Sequence, residues 1–444
     1  MTQRPNPRSK RPTGRRPKLL ARNGTTKAVL ENGLTVVVRE SHNAPVSTFW
    51  CWYKVGSRVE RAGITGISHW VEHMLFKGTP TFPKRELDRL ISREGGRWNG
   101  MTWLDYTTYF ETLPADRFDL AFRIEADRMV HAVFDPKEVE SERTVIISER
   151  QGAENSPTFL LSEEVQNAAF RVHGYHHEVI GDLCDLQTMT RDQLYQHYKT
   201  YYAPNNAVAV AVGDFKAADV LKQIQAAFGK IKPGPELPAI HREEPPQKGE
   251  RRVTVEGPET TAYVEVAYRA QRAVESDFPA FVVLDAILAG ASSLGGSGGG
   301  TNASSRLYKG LVDTELATDV SGGLIPTVDP FLYGISATVR TGRTPAEVEA
   351  ALDAELARAV AEPVTEQEVA KSIKQAKAQF AYGSESVTNQ GHWYGFSEIF
   401  ADYTWFEVYL DRLAAVTVDD VQRVAKTYLT QSNRTVGWYV PKQG

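Results

Sequence analysis

Two histidines and a glutamate in the run His69-Trp70-Val71-Glu72-His73 could hold and use a metal ion. Histidines four apart on a helix project from one face, so both imidazoles can reach the same ion. Glu72 could sit beside a metal-bound water and take its proton. Hydrolytic zinc needs three protein donors and one open position. The run supplies two donors and a base. Ile67, Trp70, Val71, Met74 and Leu75 surround them. The helix is therefore expected to be buried, and buried imidazoles and carboxylates need partners.

A third donor must come from elsewhere. The segment from Asp135 to Gln151 reads as a helix, with Asp135 as its N-cap and Pro136 in its first turn. Glu142 and Glu149 are seven residues apart on it, two helical turns, and share a face. Spacing alone does not choose between them, nor does it exclude Glu138 and Glu140.

These residues give the chain a resemblance to the M16 family of zinc peptidases, the group of pitrilysin, insulysin and mitochondrial processing peptidase. That family carries His-x-x-Glu-His, the common zinc-peptidase order read backwards, and a glutamate donor about 76 residues later. Glu149 lies 76 residues beyond His73. A further match is Gly95-Gly96-Arg97-Trp98-Asn99-Gly100-Met101-Thr102, with Gly100 where the family usually has alanine. The resemblance is strong over residues 28–214 and continues to the C-terminus.

It implies one Zn²⁺ per chain, held by His69, His73 and Glu149. The implied catalytic carboxylates are Glu72, as general base, and Glu142, orienting a histidine or the water. Asn99, Gly100 and Thr102 would mark an edge strand on which substrate lies as an added strand. Pairing of that kind selects extended, unfolded peptide rather than a defined sequence. The implied architecture is α+β: two tandem homologous LuxS/MPP-like metallohydrolase domains, each a mixed sheet with packed helices, forming half of a clamshell.

One departure is informative. Self-sufficient members of the family carry an arginine and a tyrosine, seven apart, that bind the substrate carbonyl across the chamber. Leu311 and Thr318 stand at the corresponding places, and no Arg or Tyr occurs from Lys309 to Leu332. Donors of that kind are worth several kcal/mol, so the isolated chain is expected to be nearly silent. The expected assembly is a heterodimer whose related partner supplies the pair, with a homodimer as the alternative. Other readings are a peptidase that removes targeting peptides and a non-catalytic assembly subunit.

The elements that must position these residues recur. Thr190 to Tyr201, Asn206 and the strand after it match Thr417 to Tyr428, Asn433 and its strand at a constant offset of 227. A capped helix and a strand closing each half point to duplication. Prolines and glycines cluster between the halves. The expected division is a disordered basic tail at 1–25, a zinc-bearing domain at 26–232, a linker at 233–250 and an inactive related domain at 251–441.

Composition sets outer limits. The 444 residues permit more than one domain, and a net charge of −4 argues against nucleic acid as partner. Two cysteines give no disulfide framework. No run approaches a membrane span. Prolines interrupt the basic N-terminus, which disfavours a mitochondrial presequence. The expected location is the bacterial cytoplasm, with the mitochondrion as the alternative. The glycine-rich segment 290–302 lacks the Lys-Ser/Thr pair of a phosphate loop and reads as a connector.

Overall fold

The computed structural model describes residues 20–240, 242–292, 294 and 303–442. Most of the basic tail and of the glycine-rich segment therefore lie outside the described residues.

The first half contains strands β1 (Leu20–Arg22), β2 (Thr25–Val29), β3 (Thr35–Glu40), β4 (Val46–Tyr53), β5 (Arg97–Thr102), β6 (Thr107–Pro114) and β7 (Ala207–Gly213). Its helices are α1 (Ile67–Leu75), α2 (Lys84–Arg93), α3 (Asp119–His131), α4 (Pro136–Ala153), α5 (Pro157–Ala169), α6 (Leu183–Thr188), α7 (Arg191–Tyr201) and α8 (Ala217–Phe228). The second half contains β8 (Arg251–Gly257), β9 (Tyr263–Arg269), β10 (Ala317–Leu324), β11 (Leu332–Val339) and β12 (Arg434–Pro441). Its helices are α9 (Phe278–Leu288), α10 (Pro345–Ala361), α11 (Glu366–Tyr382), α12 (Val387–Phe400), α13 (Thr404–Ala414) and α14 (Val418–Tyr428).

The strands form two mixed sheets, β1-β2-β3-β7-β4-β6-β5 and β10-β11-β9-β12-β8. Each has one parallel pair, β3 with β7 and β8 with β12, among antiparallel neighbours. The fold is thus α+β in two tandem units, as the sequence implied. The duplication extends to single hydrogen bonds. Both α7 and α14 open with a capping box, on Thr190 and Thr417. Asn206 donates to the Tyr201 carbonyl at 2.9 Å, and Asn433 donates to the Tyr428 carbonyl at 2.9 Å.

The two halves exchange cover. Strand β7 is buried along its whole length, so both faces of the first sheet are covered. Ala209 and Ala211 face the first half's own helices together with Phe49 and Cys51. On the other face Val208, Val210, Trp50 and Trp52 pack with residues of the second half, among them Trp393 and Phe396 of α12. Helix α12 approaches through Gly391 and Gly395. A Cβ at Gly395 would lie 1.9 Å from the Trp52 indole nitrogen, and one at Gly391 would lie 2.6 Å from the Trp50 ring. Glycine inside a helix costs about 1 kcal/mol, and here it permits two tryptophans to be enclosed. In return, Leu161, Val165 and Ala169 of α5 join Ala267 and Tyr439 of the second sheet.

A buried carboxyl in the second half makes stability depend on pH. Asp285 of α9 is 4% exposed. Burial pushes its carboxyl up to about 7, against a smaller opposing effect of the Tyr333 hydroxyl. A raised folded-state pKa favours folding at low pH, and that stability is lost as pH rises from about 4 to about 7. Asp285→Asn, which stays neutral, is expected to be more stable than the parent at pH 8. Three units at 1.36 kcal/mol each set the scale at about 4 kcal/mol. Thermal unfolding from pH 4 to 8 should show the gap widening to pH 7 and then levelling. A gap independent of pH would refute the assignment.

Candidate metal centre

Helix α1 is held at its start by carboxylates distant from its end. Gly66, its N-cap, offers no side chain, and Glu60 takes over by accepting from the Gly66 and Ser68 amides at 2.7 and 2.8 Å. Asp185 accepts from the amides of Gly63 and Thr65 at 3.0 and 2.9 Å, fixing the loop before it. Helix α4 is capped by Asp135, which accepts from Lys137 N, with Pro136 in the first turn. Such a cap contributes about 1 kcal/mol. The Arg143 guanidinium of α4 rests 4.7 Å from the centre of the Trp70 ring on α1. The two helices that carry the candidate donors are thereby clamped face to face.

His69, His73 and Glu149 meet at this junction. His73 Nε2 lies 3.2 Å from His69 Nε2 and 3.6 Å from Glu149 Oε2, and His69 Nε2 lies 3.9 Å from Glu149 Oε2. Tetrahedral zinc with bonds of 2.0–2.1 Å requires donor separations of about 3.3 Å. The three separations bracket that value. Among the described residues this is the one group of three His, Cys, Asp or Glu side chains with ligand atoms so close. Of the other candidates, Glu138 pairs with Lys84 and Glu140 with Arg143.

The protonation chemistry suits a cation. Burial, reinforced by the nearby His73, drives His69 down to about 3, so its imidazole is neutral and its lone pair available. Burial lowers His73 as well, but hydrogen bonding to Glu142 and the charge of Glu149 outweigh it and leave His73 raised. His73 Nδ1 is 2.8 Å from Glu142 Oε1. That contact fixes the ring and leaves Nε2 facing the junction. Lys77 grips the other oxygen of Glu142. Partial burial raises Glu142, but its bonds with His73 and Lys77 prevail and hold it below the ordinary range. Lys77 stands two residues past the end of α1, so its reach to Glu142 follows from the packing of α1 on α4 and not from helical spacing. Glu142→Gln should weaken metal binding by about 10–100-fold, the usual effect of losing such an orienting partner. Competition against a zinc-sensitive dye would measure it, and unchanged affinity would remove Glu142 from the site.

Glu72 is 7% exposed. Burial raises its carboxyl, partly offset by a hydrogen bond from Thr102 Oγ1 to Glu72 Oε2 at 2.8 Å. Thr102 is buried at the end of β5, with its hydroxyl committed to Glu72. Asn99 is exposed on the same strand, and its side chain accepts from the Gly100 amide at 2.9 Å. Gly100 is half-buried opposite Tyr109. Strand β5 is the last strand of its sheet, so one side of its backbone is unpaired.

Fold and donor set define an inverzincin-type unit followed by a related unit with no such set among its described residues. Residues 35–183 match the family described as Insulinase (Peptidase family M16), and residues 188–376 match the Peptidase M16 inactive domain. The chain belongs to peptidase family M16. It is 29% identical to the zinc protease PqqE of Helicobacter pylori over 93% of this chain and 92% of that one. It is 25% identical to the mitochondrial-processing peptidase subunit beta of Blastocladiella emersonii over 90% and 85%. A crystal structure of a protease from Helicobacter pylori superposes with a TM-score of 0.88 at 26% identity, covering 96% of this chain and all of that one. No helix among the described residues is long and apolar enough to cross a membrane.

Proposed function

We propose that the chain is a zinc-dependent endopeptidase acting on unfolded peptides, and that it is the metal-bearing subunit of a heterodimer. The convergence of His69, His73 and Glu149, with Glu72 beside them, carries the reading. Relatives named zinc protease support the choice of metal. Zinc in such a site supplies a water of lowered pKa and polarises the scissile carbonyl. Glu72 takes the water's proton and passes it to the leaving amine, a role that a raised carboxyl suits. Thr102 aims that carboxyl, and Glu142 keeps His73 oriented. An extended peptide pairs with the open edge of β5 near Asn99 and Gly100, which brings a backbone carbonyl toward the site.

The heterodimer rests on the second half. Leu311 is fully buried in the core. Thr318 is exposed on β10, with its hydroxyl 3.5 Å from the Thr338 carbonyl oxygen. Neither replaces an arginine or a tyrosine. The partner is a related chain that supplies that pair and closes the clamshell over the zinc. The bacterial cytoplasm is the compartment we assign.

The test is hydrolysis of a quenched fluorescent peptide by the zinc-loaded chain, alone and then mixed with a related chain carrying the Arg/Tyr pair. Silence alone and activity on mixing is the expected result. Full activity alone would refute the heterodimer, and silence in both would refute the peptidase. Similarity to mitochondrial-processing peptidase subunits favours a second reading, removal of targeting peptides. Mapping the cut bonds separates the two, because a processing enzyme cuts at one place and a scavenger at many.

A further inference from the structure

Beneath β5 lies a charged group that neither metal binding nor proton transfer uses. Arg128 of α3 is enclosed, with its side chain 2% exposed and those of Glu111 and Glu125 both 0%. Its guanidinium is 3.3 Å from Glu125 Oε1 and 3.7 Å from Glu111 Oε1. Its central carbon also lies over three rings, with centres at 4.5 Å for Tyr109, 5.3 Å for Trp98 and 5.5 Å for Phe76. The rings belong to β6, to β5 and to the residue that follows α1.

Each ring leads to the site. The Tyr109 hydroxyl donates to the backbone carbonyl of Glu72 at 3.5 Å. Trp98 stands opposite Glu111 in the β5–β6 register, and Gly100 stands opposite Tyr109. A Cβ on Gly100 would lie 2.9 Å from Tyr109 Cδ1 and 3.0 Å from Phe76 Cζ. The rings thus reach up to the strand backbone, and glycine there lets them.

We propose that Arg128, set between Glu111 and Glu125, is a positioning residue that fixes β5 as the substrate-binding edge and holds the backbone of Glu72. The inference rests on the peptidase reading above. Packing alone would be met by an apolar side chain, because buried ion pairs seldom add stability over well-packed hydrophobic residues. A guanidinium adds a delocalised cation that attracts three aromatic rings at once. Burial and the charge of Glu125 push the Glu111 carboxyl well above the ordinary range.

The test compares the zinc-loaded chain, with its partner where activity requires one, with two variants. The first is Arg128→Met combined with Glu111→Gln and Glu125→Gln, which removes all three ionisable groups and roughly keeps their volume. The second is Arg128→Lys, which keeps the charge and loses the plane. In both, zinc content should hold and KM should rise, at least tenfold in the first and about threefold in the second. Hydrogen exchange at residues 97–102 should accelerate in both. Wild-type KM and exchange in a well-folded triple variant would overturn the proposal and leave Arg128 a structural residue. If the triple variant does not fold, Arg128→Lys decides by the same two readouts. If the parent chain hydrolyses no peptide under any condition, the peptidase reading fails, and exchange at residues 97–102 still decides the positioning role.

Discussion

A Glu72→Gln chain is expected to bind zinc like the parent and to lose hydrolysis by about 10³-fold or more. Glu72 is not among the three donors that converge, so replacing it leaves the set intact. The amide keeps the size of the carboxyl and can still accept from Thr102, so the local packing survives. What disappears is the acceptor for a proton. General acid–base catalysis of this kind contributes about 10²–10⁴-fold, and Glu72 serves both water attack and departure of the amine. Metal analysis, and steady-state peptide hydrolysis with the partner present, on the same preparation would check it. Normal cleavage by the variant would assign the base elsewhere.

The second large effect concerns the metal. His69→Leu should lower zinc affinity by about three orders of magnitude and with it all activity. Protein zinc sites bind with on the order of 10 kcal/mol or more, and one donor of three carries a sizeable share. His69 is the cleaner choice of the two histidines. Its Nδ1 makes no hydrogen bond among the described residues, whereas His73 anchors Glu142 and, through it, Lys77. A leucine at position 69 therefore removes a donor and leaves the contacts of His73 with Glu142 and of Glu142 with Lys77 in place. Metal content after dialysis, and the rise in melting temperature on adding zinc, would report the loss. A variant that kept a full equivalent of zinc would show that the ion sits elsewhere.

Much of this centre was legible in the chain because it rests on local geometry. The four-residue spacing of His69 and His73, and the cap at Asp135 followed by Pro136, state a helix and its face directly. Pairing these helices was a different matter. Four glutamates of the second helix stood open by spacing, and the resemblance, not the residues themselves, selected Glu149. The Thr102 hydroxyl also donates to Glu72. No periodicity announces that, since it depends on where β5 ends relative to α1.

The repeat at an offset of 227 announced two related halves. Local preference and periodicity are properties of neighbours in the chain, and for them the sequence suffices. It did not say what covers the second face of each sheet. Tertiary structure decided that α12, about 180 residues beyond Val208, closes over Trp50 and Trp52, and that α5 crosses to the other sheet. It also decided that Arg128 lies under β5 between two carboxylates. Burial of an apolar face is satisfied by any surface of the right shape. Which surface does so is settled only when the whole chain packs.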